Sequence, residues 1–169
     1  LNILKLGRNV FLTGAAGSGK TYVLNEYIRY LKSKHVPVAV TASTGIAATH
    51  MNGKTIHSWA HIGIKDYLTK ADLDNIFKRK EFRESIADAK VLIIDEVSML
   101  HHYRLDMVDA VLRKMHGKDE PFGGIQVVLC GDLFQLPPVT RGGRAEYITE
   151  AAAWAEMNIH ICYLTEQHR

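Results

Sequence analysis

The sequence predicts an α/β fold: a parallel sheet of about five strands with helices on both faces. Short apolar runs alternate along the chain with stretches whose apolar residues recur at helical spacing. One run, VLII at 91–94, is apolar at every position, as expected of a strand covered on both faces. The first run ends in a glycine-rich turn that opens a helix, the layout by which a parallel strand delivers a loop to the carboxyl edge of its sheet.

In chain order, residues 9–13 (NVFLT) read as a buried strand, and 21–33 as a helix with Val23, Leu24, Tyr27, Ile28 and Leu31 on one side. Residues 36–42 (VPVAVTA) read as the second strand. A short helix over 44–50 is entered at Ser43, Thr44 and Gly45. Residues 53–66 are loop-like and rich in histidine, and 67–89 are charged and helical in pattern, with Lys78, Arg79 and Lys80 in a row. Together 53–89 predict a small helical or loop insertion between the second and third strands. Residues 91–94 form the third strand, 100–115 a helix, 125–130 (IQVVLC) the fourth strand, 151–157 a short helix and 159–164 the fifth strand. Neither internal repeats nor low-complexity tracts interrupt the pattern.

With 169 residues, 47% of them apolar and 23% charged, the chain suits one globular domain with a buried core. A net charge of +3 is too mild to indicate nucleic acid by itself. Cys130 and Cys162 lie in apolar runs without metal-binding spacing, so they read as buried thiols of a reducing compartment. No apolar run is long enough to span a bilayer, and no signal-peptide pattern opens the chain. Leu1 is not an initiator methionine, which suggests that an upstream part is missing.

Gly14-Ala15-Ala16-Gly17-Ser18-Gly19-Lys20-Thr21 fits G-x-x-x-x-G-K-[ST] at every fixed position, between a strand and a helix. Glycines give the backbone conformations that a Cβ forbids, so consecutive N–H groups can turn inward onto phosphate oxygens. The helix that follows adds its positive N-terminal end. Lys20 brings a cation to the β- and γ-phosphates, and Thr21 a hydroxyl to Mg²⁺. All eight residues are therefore candidates for binding ATP.

Asp95 and Glu96 close the third strand, at the sheet edge where ligands of open α/β folds sit. Asp95 can hold Mg²⁺ through water and Glu96 can polarise the attacking water. Such a pair marks a hydrolase more than a kinase. After the fourth strand, Gln135 can donate and accept, so it can touch the γ-phosphate or the water. The prolines at 137 and 138 stiffen the loop beyond it, and Asp132 reads as a turn cap in preference to a site residue. A small-molecule kinase would need an acceptor pocket and an arginine-rich lid, and a GTPase an NKxD-type motif; none is present.

In order, GAAGSGKT at 14–21, TASTGIAA at 41–48, TIHS at 55–58, VLIIDEVSML at 91–100, GDLFQLPPV at 131–139 and LTEQHR at 164–169 span nearly the whole chain. This series resembles the superfamily-1 DNA helicases of the petite-integration-frequency and RecD-like group, which run 5′ to 3′. The resemblance implies a RecA-like P-loop fold with the fourth strand between those carrying the phosphate loop and Asp95, which puts Gln135 over the γ-phosphate. It implies catalytic roles for Lys20, Glu96, Gln135 and Arg169, and a Mg²⁺ site at Thr21 and Asp95. It also implies a path for single-stranded or forked DNA over this domain, touched by Ser43, Thr44, Gly45 and His57. Trp59 reads as core more readily than as a base-stacking platform, and the 78–80 run more readily as a solvated helix face than as a DNA contact. The insertion at 53–89 matches the subdomain that carries the family's strand-separating pin.

Relative to that family, the adenine-reading glutamine motif and the second RecA-like domain are missing. Residues 1–169 then read as one RecA-like ATPase domain of a larger, monomeric helicase, cytoplasmic if bacterial and nuclear or mitochondrial if eukaryotic, with work in repair, recombination or telomere maintenance. Alone, it is expected to hydrolyse ATP slowly and not to unwind duplex DNA. The alternative is a nucleotide-gated DNA-binding module without useful turnover.

Overall fold

The computed structural model describes residues 1–133 and 147–165. A short helix α1 (Asn2–Lys5) leads into β1 (Val10–Gly14), whose five residues are all buried. Helix α2 (Lys20–Ser33) follows, burying Leu24, Tyr27, Ile28 and Leu31 at the expected spacing. Strand β2 (Val38–Ala42) starts two residues later than the sequence suggests. Pro37 has no N–H to offer a ladder, and its carbonyl instead accepts from the Lys90 amide at 3.0 Å.

Helix α3 (Gly45–His50) is capped by the Thr44 side chain. Next come β3 (Lys54–Thr55) and α4 (Ile56–Trp59), the latter capped by the Thr55 hydroxyl. Helices α5 (Lys70–Lys78) and α6 (Lys80–Ala87) occupy the charged stretch, α5 opening with a capping box between Thr69 and Asp72. Strand β4 (Val91–Asp95), helix α7 (His102–His116), strand β5 (Gln126–Cys130), helix α8 (Ala152–Glu156) and strand β6 (His160–Leu164) complete the strands and α-helices among the described residues.

The strands form one parallel sheet in the order β3-β2-β4-β5-β1-β6. The expectation of about five strands is short by one. Strand β3 is a two-residue rung against Thr41 and Ala42, too brief to leave a periodic signal in a stretch read as loop. Strand β5 lies between β4 and β1, as expected.

Side chains alternate across the sheet, and both faces are covered. Val10, Leu12, Val91, Ile93, Val128 and Cys130 meet α1 and α2 on one side. Phe11, Leu92, Ile94, Val127 and Leu129 meet residues of α4 through α8 on the other. The charged stretch contributes Ile76, Phe82 and Ile86 to that second core, and Trp59 is buried in it as well. Among the described residues, no helix is long and apolar enough to cross a membrane.

Candidate active site

The loop that leaves β1 owes its shape to three glycines. Gly14, Gly17 and Gly19 take φ of 146°, 81° and 95°, where side chains are strained. At Gly14 space is also closed: a Cβ would lie 2.6 Å from the Leu164 carbonyl oxygen and 2.7 Å from Ser18 Oγ. The Ser18 amide donates to the Ala15 carbonyl at 3.1 Å, and Gly19 caps α2. The free amides of the first helical turn therefore face the loop.

Lys20 Nζ donates to the carbonyls of Gly14 and, at 3.1 Å, Ala15, which keeps the ammonium against the loop's mouth. Ser18 Oγ is buried without a partner among the described residues. An orphaned hydroxyl in a glycine cradle beside a lysine fits a polyanion such as a triphosphate. Residues 16–22 and Glu96 line a cavity of about 640 Å³, and Tyr22 adds a 68% exposed ring to its wall.

Strand β4 brings Asp95 and Glu96 to the same edge. Asp95 Oδ1 accepts the Glu96 amide at 2.8 Å, and the buried Cys130 thiol at the end of β5 also hydrogen-bonds the Asp95 carboxylate. Burial, then the negative charge of Asp95, pushes the Cys130 thiol up, so it stays protonated and acts as a donor.

Glu96 takes the left-handed conformation at φ 55°, ψ 44°, which costs a non-glycine residue about 1 kcal/mol. Burial raises its pKa first, the Asp95 charge next, and Asp132 adds to this, while Lys20 opposes the rise. Asp132 therefore lies within electrostatic reach of the site.

The segment after β2 is tied to the same strand end. The Ser43 amide donates to the Asp95 carbonyl at 3.0 Å and its hydroxyl to the Glu96 carbonyl at 2.5 Å. Thr44 Oγ1 accepts the Ala47 amide at 3.2 Å, and Gly45 and Ile46 are exposed. His57 is half-buried on α4 and does not line the cavity. Its pKa is lowered by burial first, then by Arg104 and His101.

Arg104, on α7, is only 9% exposed. Its guanidinium donates to the carbonyls of Gly63, Ile64 and Lys65 and to the Asp66 carboxylate, so one buried cation shapes the loop at 63–66.

Of the residues expected at the site, Ala16, Gly17, Ser18, Gly19, Lys20, Thr21 and Glu96 share the cavity, Asp95 adjoins it, and Gly14 and Ala15 lie behind its lining with their carbonyls on Lys20. Gln135 and Arg169 lie outside the described residues. The link from Ser43 to Glu96, the ring of Tyr22 and the fan of bonds from Arg104 were not anticipated. The first joins residues far apart in sequence, the second is an aromatic among helix residues, and the third reads in sequence as a surface arginine.

Residues 2–169 match the family model described as PIF1-like helicase. The chain belongs to the PIF1-like helicase family. One family relative, the ATP-dependent DNA helicase Pif1 of Psychrobacter sp. (strain PRwf-1), is 59% identical over 172 residues, which cover 100% of this chain and 26% of that protein. This chain thus spans about a quarter of that PIF1-like helicase's length.

The crystal structure of Pif1 helicase from Candida albicans superposes with a TM-score of 0.92 at 36% identity, over 99% of this chain and 38% of that one. Pif1 helicase from Bacteroides in complex with ADP-AlF3 and ssDNA superposes with a TM-score of 0.81 at 35% identity, over 99% and 41%. The α/β fold is therefore the P-loop, RecA-like fold of PIF1-like helicases.

Proposed function

We propose that this chain is the ATP-binding and ATP-hydrolysing RecA-like domain of a 5′-to-3′ DNA helicase that moves along single-stranded DNA. One observation carries this: Lys20 and Thr21 on the helix after β1, and Glu96 after β4, two strands separated by β5, line a single cavity above a glycine cradle. The Bacteroides relative, solved with ADP-AlF3 and ssDNA, supports both ligands.

In this scheme the amides of residues 14–21 and the Lys20 ammonium hold the phosphates. Thr21 offers a hydroxyl and Asp95 a carboxylate, a hard oxygen set that suits Mg²⁺. Among the described residues no cluster of three or more His, Cys, Asp or Glu competes for that ion. Bound there, Mg²⁺ would neutralise charge on the phosphates.

Glu96 orients a water for attack on the γ-phosphorus. As the new P–O bond forms, the bond to the ADP oxygen breaks and the water proton passes towards Glu96. The raised pKa of Glu96 moves it closer to neutrality, as suits a proton acceptor. Gln135 and Arg169 are assigned to the γ-phosphate on the family pattern.

Residues 1–169 form one domain of a longer, monomeric motor whose second RecA-like domain closes over the nucleotide. Thr44, Gly45 and His57 face single-stranded or forked DNA, with Ser43, also expected there, at the root of that turn and bonded to the Glu96 carbonyl, and the insertion at 53–89 carries further contacts. A bacterial source would place the motor in the cytoplasm, a eukaryotic one in the nucleus or mitochondria.

ATP turnover of the full-length helicase, measured with and without oligo-dT, tests the proposal. Stimulation by the oligonucleotide, abolished in Glu96→Gln, is expected; nucleotide binding without turnover in the unsubstituted protein would instead indicate a nucleotide-gated DNA binder. The isolated chain should hydrolyse ATP slowly and leave a 5′-tailed duplex paired.

A further inference from the structure

Ser43 leaves the sheet directly after β2, and both of its donors serve the neighbouring strand's exit. The parallel register ends at Ala42 opposite Asp95. The Ser43 amide extends that ladder to the Asp95 carbonyl at 3.0 Å, and its hydroxyl reaches one residue further, to the Glu96 carbonyl at 2.5 Å. The strands part at that point, so the hydroxyl supplies a bond that the backbone no longer can.

Glu96 is gripped from several sides. Its amide is taken by Asp95 Oδ1 at 2.8 Å and its carbonyl by Ser43. The turn after it rests on Gly131, where a Cβ would lie 3.1 Å from the Val97 nitrogen. A left-handed glutamate persists only where its surroundings over-determine it, and these contacts do so. Fixing the peptides on both sides of Glu96 fixes the direction of its Cα–Cβ bond, hence the path of the carboxylate into the cavity it shares with Lys20.

A serine hydroxyl has one proton to donate. Given to Glu96, it is not also available to a phosphate oxygen of DNA. The next residue, Thr44, caps α3, and Gly45 and Ile46 beyond it are exposed. One side chain therefore joins a surface turn to the residue that faces the nucleotide.

We propose that Ser43 is a positioning residue for ATP hydrolysis: its hydroxyl holds the Glu96 backbone in the turn that aims the carboxylate, and it couples the surface turn at 44–46 to that carboxylate. This rests on the hydrolytic role proposed for Glu96.

The test uses the full-length helicase carrying this chain, with Ser43→Ala, Ser43→Thr, Glu96→Gln and the double variant Ser43→Ala/Glu96→Gln. Steady-state ATPase on oligo-dT gives kcat and KM, and a fluorescent ATP analogue gives the nucleotide Kd. Ser43→Ala is expected to lower kcat about tenfold while leaving the nucleotide Kd within about twofold, because the loss falls on the transition state alone. Ser43→Thr, which keeps the hydroxyl, should restore most of the rate. In the Glu96→Gln background, Ser43→Ala should change residual turnover by less than about twofold, since both act through one carboxylate.

An unchanged kcat in Ser43→Ala would overturn the proposal, as would a full tenfold loss added to that of Glu96→Gln. A rise confined to the KM for oligo-dT would show a DNA contact instead and would also overturn it. If Ser43→Ala fails to fold, Ser43→Cys, of similar size but a weaker donor, takes its place with the same expectations. Absence of nucleotide binding in the unsubstituted protein would defeat the proposed function itself, a result distinct from all of these.

Discussion

A methyl group on Gly14 would lie 2.6 Å from the carbonyl oxygen of Leu164. The last rung of the β1–β6 ladder, Gly14 opposite Leu164, therefore sits where the phosphate loop begins. Gly14→Ala meets backbone on one side, Ser18 on the other, and a φ of 146° that alanine resists. It should weaken ATP-analogue binding at least about tenfold and destabilise the fold by about 2 kcal/mol or more. Equilibrium titration and urea unfolding check the two effects. Gly17→Ala, strained in φ but facing open space, should unfold the protein less.

Glu96→Gln should remove turnover yet stabilise the protein at neutral pH. The folded-state pKa of Glu96 lies above its ordinary value of 4.5, so folding favours the protonated form. That contribution is fully present below the unfolded pKa and is lost as pH rises through the folded pKa. Glutamine mimics the protonated side chain at every pH. The variant should thus melt above the parent at pH 7, with the gap closing as the pH falls below the ordinary value. Thermal melts at pH 7 and in acid decide it; a lower melting temperature at pH 7 would contradict the cost assigned to burying the ionised carboxylate.

The same shift sets the acid limb of the reaction. If Glu96 must be ionised to orient water, ATP turnover at saturating oligo-dT should fall on acidification with a midpoint above 4.5. Lys20 draws that midpoint down, so Lys20→Met, assayed at whatever residual rate remains, should move it upward.

Arg104→Ala should destabilise the protein by about 1–2 kcal/mol, since a buried cation is lost together with its part-buried bonds to the carbonyls of Gly63, Ile64 and Lys65. Arg104→Lys should recover little, because an ammonium cannot reproduce the planar fork. Limited proteolysis should find new cleavage within 63–66 in both variants, where Ile64 is already 93% exposed.

Gln126→Leu should cost about 2 kcal/mol in chemical denaturation. The Gln126 amide donates to the carbonyls of Leu4, at 3.0 Å, and Arg8, at 2.7 Å, and its oxygen accepts from the Tyr27 hydroxyl at 2.5 Å. Leucine fills similar volume but leaves the buried Tyr27 hydroxyl without this acceptor and the Leu4 and Arg8 carbonyls without this donor.

Much of this architecture is legible in the chain because its signals are local. Continuous runs such as VLII announce a doubly covered strand, and the spacing from Val23 to Leu31 announces the helix that follows the phosphate loop. The nucleotide cradle is legible for the same reason, since adjacent residues build it. What sequence left hidden depends on distance or brevity. The pairing of β3 rests on two residues, Lys54 and Thr55, and cannot show a period. The hydrogen bond from Ser43 to Glu96 joins positions 53 apart, and Arg104 reaches its carbonyls across about 40. His57 reads as a loop histidine; the fold places it on α4, half-buried near Arg104 and His101.

Every strand of the sheet points the same way, so all of its exits open onto one rim. The residues assigned to the nucleotide, Lys20, Asp95 and Glu96, lie at or just beyond those exits, whereas Leu92, Val127 and Val128 lie buried within the sheet. These two populations can therefore be altered independently. Repacking Leu92, Val127 or Val128 offers an engineer a route to a hotter-melting or softer motor with its chemistry intact, while exchanges at Lys20, Asp95 or Glu96 would silence the chemistry in a scaffold that still folds.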